Sequence, residues 1–290
     1  MSPTKRKSVR YVFMSIFQDI DTCLQTRALA AKAVGSVLQS ANGISESEFA
    51  DKFNTELRTH KNFHPGGWYD PPPNGVAVLF AESNNFQRLQ FDTLRKQQYW
   101  PKQEIKLGEN SVGMVYASPV DNKSGIIGDI GLSFYTGQDQ KIKQHLIRSL
   151  EVIKKAAEFA DVKMEFRELH NHAQKLFAKA SLNNDRTVTY ADSVGTNLGH
   201  AIPWTHKDPT ESEQAIISGS SFEKLKNLIS SKRVNVNSRE NFKIPENIVF
   251  TFEARLEDSN DLQMPSVFYH LLVAFKEGER EIISGFEGMM

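Results

Sequence analysis

Apolar residues follow helical spacing in four stretches of the chain, which are grouped as two pairs. The stretches are residues 21–40 and 45–59, and then residues 138–160 and 165–182. In each of them the apolar side chains lie three or four positions apart, which is typical of an amphipathic helix packed on a core. The second stretch starts with SESEF at Ser45, which predicts a capped helix start. We therefore predict two successive helix pairs.

Segments rich in β-branched and aromatic residues follow each helix pair, and they predict β-strands. After the first pair they are residues 76–81, 111–120 and 125–137, and after the second pair they are residues 186–194, 246–256 and 266–275, with a helical pattern at 220–232. The same order of elements occurs twice. This predicts an α+β fold with pseudo-two-fold symmetry, in which one antiparallel sheet is covered by the helix pairs. We expect a single domain over residues 21–290, preceded by a leading segment at 1–20.

Composition and charge narrow the classes of partner. The chain has 290 residues, of which 39% are hydrophobic, and its 35 basic residues balance 35 acidic ones, as in an ordinary soluble globular protein. A net charge of zero gives no overall field that attracts nucleic acid or an anionic membrane, so neither is expected as a partner. No apolar run is long enough for a membrane span or a secretion signal. The single cysteine, Cys23, excludes an intrachain disulfide, and we expect a cytoplasmic protein.

Two carboxylates and two imidazoles are candidates for metal binding or catalysis because of the segments in which they lie. Asp129 interrupts the apolar run GIIGDIGLSF, and Glu253 interrupts IVFTFEARL. His200 and His206 lie in TNLGHAIPWTH, where the proline disfavours a helix. A buried carboxylate needs a cation or a hydrogen-bond donor beside it. Two carboxylates and one imidazole suit Mn²⁺, Fe²⁺, Co²⁺ or Zn²⁺, whereas hydrogen bonding without a metal is the alternative for Asp129.

These motifs resemble those of the methionine aminopeptidase and Xaa-Pro peptidase family, whose pita-bread fold has the same two-half layout. GIIGDIGLSFYTG is similar to the family's second-aspartate strand, NLGHAIPWTH to its Gly-His motif with a second histidine, and ENIVFTFEARL to its glutamate strand. The motifs occur in the family's order over about residues 27–286. The resemblance implies that Asp129, His200 and Glu253 are metal ligands, and that His206 contacts the substrate.

The chain lacks two acidic residues of the family's metal pair. Ala117 and Ser118 occupy the region of the first aspartate, and Phe268 and Tyr269 occupy that of the final glutamate. Bridging carboxylates screen two dications held close together, so a two-metal centre is not expected here. The resemblance is therefore to a divergent member with an incomplete ligand set.

The leading hypothesis is a metal-dependent hydrolase of the aminopeptidase type, acting on a peptide or small amide substrate. It uses one divalent metal ion, with His270 or Asp121 as an additional ligand, and counts His200 and His206 as catalytic. The alternatives are an inactive protein that binds a peptide or metabolite, and a metal-free creatinase-like enzyme with one of these histidines as general base. The loop at residues 64–75, HPGGWYDPPPNG, is a candidate wall of the pocket. The sequence leaves open whether the protein forms a homodimer.

Overall fold

A computed structural model describes residues 3–83, 85–184 and 197–286 together with Met289, and within the first helix it describes side chains from Ile16 onward. The helices are α1 (Pro3–Leu38), α2 (Glu46–Arg58), α3 (Gln140–Ala157), α4 (Phe166–Lys179), α5 (Glu211–Ile217) and α6 (Phe222–Lys232). The strands are β1 (Val76–Glu82), β2 (Ser111–Ala117), β3 (Ile130–Tyr135), β4 (Leu182–Asn183), β5 (Ile248–Asp258), β6 (Val267–Lys276) and β7 (Glu279–Ile283). The strand predicted at 186–194 lies outside the described residues.

The element order matches the predicted pairs of helices followed by strands. The helix pairs are α1–α2 and α3–α4, and the helical pattern at 220–232 forms α6. The sequence did not predict α5, β4 or β7. Because α1 begins at Pro3, the predicted leading segment is helical from that residue onward. None of the described helices is long and apolar enough to cross a membrane.

The same turn joins the two helices of each pair. Ser45 accepts a hydrogen bond from the Glu48 backbone N–H at 3.1 Å, and Glu48 accepts one from the Ser45 N–H at 2.7 Å. Glu165 and Glu168 form the same reciprocal box at the start of α4. Such a box satisfies backbone donors that the first helical turn leaves unpaired. The capped start predicted at Ser45 is therefore confirmed, and its counterpart in the second half supports the internal repeat.

The strands form one sheet in the order β1-β2-β3-β6-β5-β4, with β7 paired to β6, and all neighbours are antiparallel. The two halves meet at β3 and β6, where Gly131 lies opposite His270. A β-carbon at Gly131 would come within 2.2 Å of the Phe268 ring. The join between the halves therefore requires a residue without a side chain at this position.

Arg27 of α1 ties the helix layer to this join. Its side chain is fully buried, and its guanidinium donates hydrogen bonds to the backbone carbonyls of Asp129, His270 and Ser284. A buried guanidinium is tolerated only when acceptors replace the lost water, and these three carbonyls do so. One side chain thus holds the backbone of two residues that belong to the site described next.

Candidate functional site

A cavity of about 90 Å³ lies beside β2, β5 and β6. Aromatic side chains form much of its wall, namely Trp68, Tyr69, Phe91, Tyr116 and Phe268. Its polar lining includes His200, Arg233, Glu253 and Arg255. Since one water needs roughly 10–15 Å³, the cavity has room for several waters or for a small side chain.

The register of β5 against β6 decides which side chains face this cavity. Glu253 lies opposite His270, and Arg255 lies opposite Phe268, so these four share one face of the sheet. Tyr269 points to the other face, where its ring stacks on Phe286 with centroids 5.7 Å apart. Of the two positions expected for a final glutamate, only Phe268 therefore faces the cavity.

Asp129 precedes β3 and is almost fully buried behind the cavity wall. Its Oδ1 accepts a hydrogen bond from the Trp68 indole N–H at 2.7 Å, and its Oδ2 accepts one from the Tyr116 hydroxyl at 3.2 Å. Burial raises the pKa of Asp129 to about 7, although the Trp68 hydrogen bond and the charge of Arg233 act in the opposite direction. Both carboxylate oxygens are therefore already engaged by protein donors.

His200 is placed by the glycine before it. Gly199 has a φ of +115°, and a β-carbon there would come within 2.0 Å of the Thr251 carbonyl oxygen. The His200 ring has its Nδ1 3.2 Å from the Ala201 carbonyl oxygen, which can only accept, so Nδ1 carries the proton. The unprotonated Nε2 then lies 3.8 Å from Asp129 Oδ2. Burial and the charge of Arg233 lower the pKa of His200 well below its usual value, so the ring is neutral.

Glu253 and His270 form a second close pair. The Glu253 Oε2 lies 3.7 Å from the His270 Nε2. The His270 Nδ1 lies 3.4 Å from a nitrogen of Arg27, which can only donate, so the ring proton is on Nε2. Burial, and then the charge of Asp129, raise the pKa of Glu253 to about 8, opposed by Arg233. The pKa of the Glu253 carboxyl therefore lies well above its usual range.

Ser118, which stands where a first aspartate was expected, supports the loop instead. Its hydroxyl accepts a hydrogen bond from the Tyr69 backbone N–H at 3.1 Å and donates one to the Gly75 carbonyl at 3.3 Å. These bonds hold the loop at residues 64–75, which carries Trp68 into the cavity wall. The hydroxyl thus contributes to the shape of the cavity and not to its charge.

Two of the residues singled out from the sequence lie away from the cavity. His206 packs edge-on against Phe242 with centroids 5.2 Å apart, and burial followed by the charge of Lys207 lowers its pKa to about 4. Asp121, considered as an additional ligand, accepts hydrogen bonds from the backbone N–H groups of Lys123 and Ser124. Its carboxylate stabilises a turn. The structure therefore brings together Asp129, His200, Glu253 and His270, but not these two.

Arg233 is the residue of the cavity that sequence reasoning missed. It follows α6 directly, in SSKRVNV, a pattern typical of a solvated helix end. In the structure its guanidinium carbon lies 4.4 Å from the centroid of the Trp68 ring. Its charge lowers the pKa of both Asp129 and Glu253, against the larger effect of burial. A cation of the chain itself therefore stands near both carboxyl groups.

The residues present do not fit a metal centre as they are arranged. Across residues 3–83, 85–184 and 197–286, no group of three or more His, Cys, Asp or Glu side chains is placed to hold a metal ion. Trp68 and Tyr116 engage the oxygens of Asp129, and His270 turns an N–H toward Glu253. A metal-binding nitrogen must instead present a lone pair, and of His200 and His270 only His200 turns one toward a carboxyl group.

The fold matches solved structures of methionine aminopeptidases and Xaa-Pro peptidases. The X-Pro aminopeptidase from Thermotoga maritima MSB8 has a TM-score of 0.59 at 16% identity, over 94% of this chain and 63% of that chain. The methionine aminopeptidase from Thermotoga maritima has a TM-score of 0.59 at 13% identity, over 90% of this chain and 96% of that chain. The methionine aminopeptidase from Rickettsia prowazekii has a TM-score of 0.61 at 12% identity, over 91% of this chain and 96% of that chain.

These similarities confirm the predicted pita-bread fold. At 12–16% identity they show the fold and nothing further. The chain spans 63% of the length of the X-Pro aminopeptidase. No protein-family model matches the chain, and no curated protein matches it in sequence. What the cavity does must therefore be argued from its own side chains.

Proposed function

We propose that this pita-bread protein is a binding protein whose cavity holds one end of a small peptide-like ligand without a metal ion. The observation that carries the proposal is the state of Asp129, both of whose carboxylate oxygens accept hydrogen bonds from Trp68 and Tyr116. A carboxylate satisfied in this way has no need of a metal ion. Arg233 supplies positive charge near it from the protein itself.

The lining of the cavity supports a peptide-like ligand. Tyr69, Phe91 and Phe268 offer apolar surface for a side chain, while Glu253 and Arg233 offer polar groups for the ends of a short backbone. Ligand sites of this kind combine a mostly apolar wall with a few polar groups that fix orientation.

Calorimetric titration with the dipeptide leucyl-alanine, in buffer containing EDTA, tests the proposal. We expect binding of the same affinity with and without the chelator, and recovery of the intact dipeptide afterwards. Binding that appears only when a divalent metal is added, or hydrolysis of the dipeptide, would contradict the proposal. The matched variant is Tyr116→Phe, which removes one hydrogen bond to Asp129 and keeps the ring.

The second candidate is the metal-dependent hydrolase of the aminopeptidase type, with Asp129, His200 and Glu253 as metal ligands and His206 at the substrate. The observation that favours it is the unprotonated Nε2 of His200, which faces Asp129 Oδ2 at 3.8 Å. Metal-binding histidines commonly donate their other N–H to a backbone carbonyl, as His200 does to Ala201.

Calorimetric titration with Mn²⁺, Fe²⁺, Co²⁺ and Zn²⁺ near neutral pH tests this second candidate. Under it, one ion binds per chain, Glu253→Gln weakens that binding, and a change at His206 spares the ion but reduces turnover. Absence of binding by all four ions rejects the hydrolase and leaves the binding protein.

We also propose the cytoplasm as the compartment. Cys23 is buried in α1, and its thiol donates to the Ile127 carbonyl with a sulfur–oxygen distance of 3.2 Å. A lone buried thiol fits a reducing environment. Localisation of the tagged chain by fractionation tests this, and recovery in the membrane or secreted fraction contradicts it.

A further inference from the structure

We infer that Arg233 is an anion anchor, and that the ligand of the cavity carries a carboxylate which this guanidinium binds. The inference rests on the proposed function, because it assigns a chemical class to the ligand of the same cavity. It concerns a residue outside the motifs that were recognised from the sequence.

The partners of Arg233 are unlike those of the other shielded arginines in the described part of the chain. Arg88 reaches the Glu46 carboxylate at 2.6 Å, and Arg255 reaches the Glu257 carboxylate at 2.7 Å. Arg27 donates to three backbone carbonyls. In each case a strong acceptor replaces the water that burial removes.

Arg233 has no such acceptor among the described residues. Its hydrogen bond to the Ser230 hydroxyl is long, at 3.4 Å, and its buried Nε has no partner. No carboxylate oxygen of the described residues lies within 4.0 Å of it. The guanidinium instead lies over Trp68 and lines the cavity. Because the Arg233 cation is shielded from water and faces the cavity, an anionic group of a ligand would stabilise it.

The neighbouring carboxyl groups do not serve as that partner. The oxygens of Asp129 are engaged by Trp68 and Tyr116, and an oxygen of Glu253 lies beside His270. Their raised pKa values also reduce the negative charge that these groups carry at neutral pH. The planar fork of a guanidinium matches a carboxylate through two parallel hydrogen bonds.

The cavity favours a compact monoanion over a larger or more highly charged one. About 90 Å³ of space limits the enclosed part of the ligand, against Tyr69, Phe91 and Phe268, to one small end group. A dianion would be repelled as Asp129 and Glu253 ionise beside it. The carboxylate of a free amino acid and the C-terminal carboxylate of a short peptide share the required chemistry.

The test compares two probes that differ only in this carboxylate, leucyl-alanine and leucyl-alaninamide, by calorimetric titration in EDTA. We expect the wild-type protein to bind the acid about ten-fold or more tightly than the amide, since charge-assisted hydrogen bonds are lost with the amide. Arg233→Gln should abolish this preference, and Arg233→Lys should retain part of it. The matched control is Arg95→Gln, because Arg95 lies over Tyr69 at 4.0 Å in a similar stacking contact and does not line the cavity.

The outcomes separate this inference from the proposed function. Equal binding of acid and amide by the wild type, or a preference that survives in a folded Arg233→Gln variant, overturns the inference and leaves the binding function standing. Lack of binding by both dipeptides and by free leucine overturns the proposed function itself. When the acid is preferred through Arg233, tighter binding of leucine identifies a free amino acid, and tighter binding of leucyl-alanine identifies a peptide end. Thermal unfolding of each variant checks that it is folded.

Discussion

At the scale of single residues, the site combines a carboxyl group that accepts two hydrogen bonds with polar groups that have no such partner among the described residues. Trp68 and Tyr116 donate to Asp129, whereas the His270 Nε2 lies 3.7 Å from Glu253 Oε2 and has no hydrogen-bond partner in the part of the chain that the structure describes. The two hydrogen bonds to Asp129 reduce the cost of burying its carboxyl group. Among the cavity-lining groups named above, Arg233 remains the cation with the weakest partner.

Replacing Trp68 by Phe tests the bond to Asp129. The change removes the indole donor from Oδ1 and leaves a buried acceptor unsatisfied, so we expect the free energy of unfolding to fall by about 1–3 kcal/mol. The loss should be larger at pH 8 than at pH 6, because the pKa of Asp129 is about 7 and the indole stabilises its ionised form. Urea unfolding at both pH values measures it.

Trp100→Phe is the matched control, since the indole nitrogen of Trp100 is buried without a hydrogen-bond partner. The same loss of stability in both variants would show that the aromatic change, and not the bond to Asp129, is responsible.

At the scale of elements, close backbone contacts set the positions of the functional side chains. Gly131 lets β3 meet β6 at His270, and Gly199 lets the segment that carries His200 lie against Thr251 of β5. The His200 N–H then donates to the Thr251 hydroxyl at 2.8 Å. The position of His200 therefore depends on the neighbouring Gly199 and on Thr251, which lies 51 positions further along the chain.

Gly199→Ala tests this contact. Its φ of +115° is unfavourable for alanine, and the added β-carbon would overlap the Thr251 carbonyl, so we expect a loss of more than about 2 kcal/mol. Gly43→Ala provides the comparison, because Gly43 also has a positive φ, of +75°, but its β-carbon would meet nothing within 4 Å. Thermal unfolding measures both variants. Equal losses would mean that backbone strain alone, without the overlap, explains the effect.

At the scale of the whole molecule, Asp129 behind the cavity and Glu253 in its lining have raised pKa values, and this makes stability depend on pH. The pKa values of Asp129 and Glu253 are raised to about 7 and about 8 in the folded protein, with burial as the main cause. In the unfolded chain both groups titrate near pH 4. Between about pH 4 and pH 8 these two groups therefore bind more protons in the folded state, and their own contribution to stability falls as pH rises.

Glu253→Gln should make this fall less steep, because it removes one of the two groups. Linkage gives a slope of up to about 1.4 kcal/mol per pH unit for each proton difference, which chemical unfolding from pH 5 to pH 8 measures. Glu257→Gln is a control on the same strand whose carboxylate is paired with Arg255. An unchanged slope in Glu253→Gln would contradict the assignment of this proton to Glu253.

Local pattern alone was enough for the helix pairs and for most of the strands. Helical spacing is a property of neighbouring residues, so the part of α1 from residue 21 onward, α2 to α4 and the capping box at Ser45 were predictable without a structure. The resemblance of the motifs around Asp129, His200 and Glu253 to those of the methionine aminopeptidase and Xaa-Pro peptidase family implied the pita-bread fold. Asp129 and Glu253 occur in or beside strands that the sequence already indicated, whereas His200 lies in no predicted strand.

Only the tertiary structure decided what surrounds those residues. The register of β5 against β6 turned Tyr269 away and brought His270 to Glu253, and a shift by one residue would have reversed both. The loop fold brought Trp68 to Asp129, and the end of α6 brought Arg233 over Trp68, across 61 and 165 positions of the chain. Such contacts depend on side-chain direction across distant elements, which periodicity along a single segment does not contain. The sequence therefore determined the layers of the fold and the place of its carboxyl groups, and the packing of the two halves decided which partners those groups have.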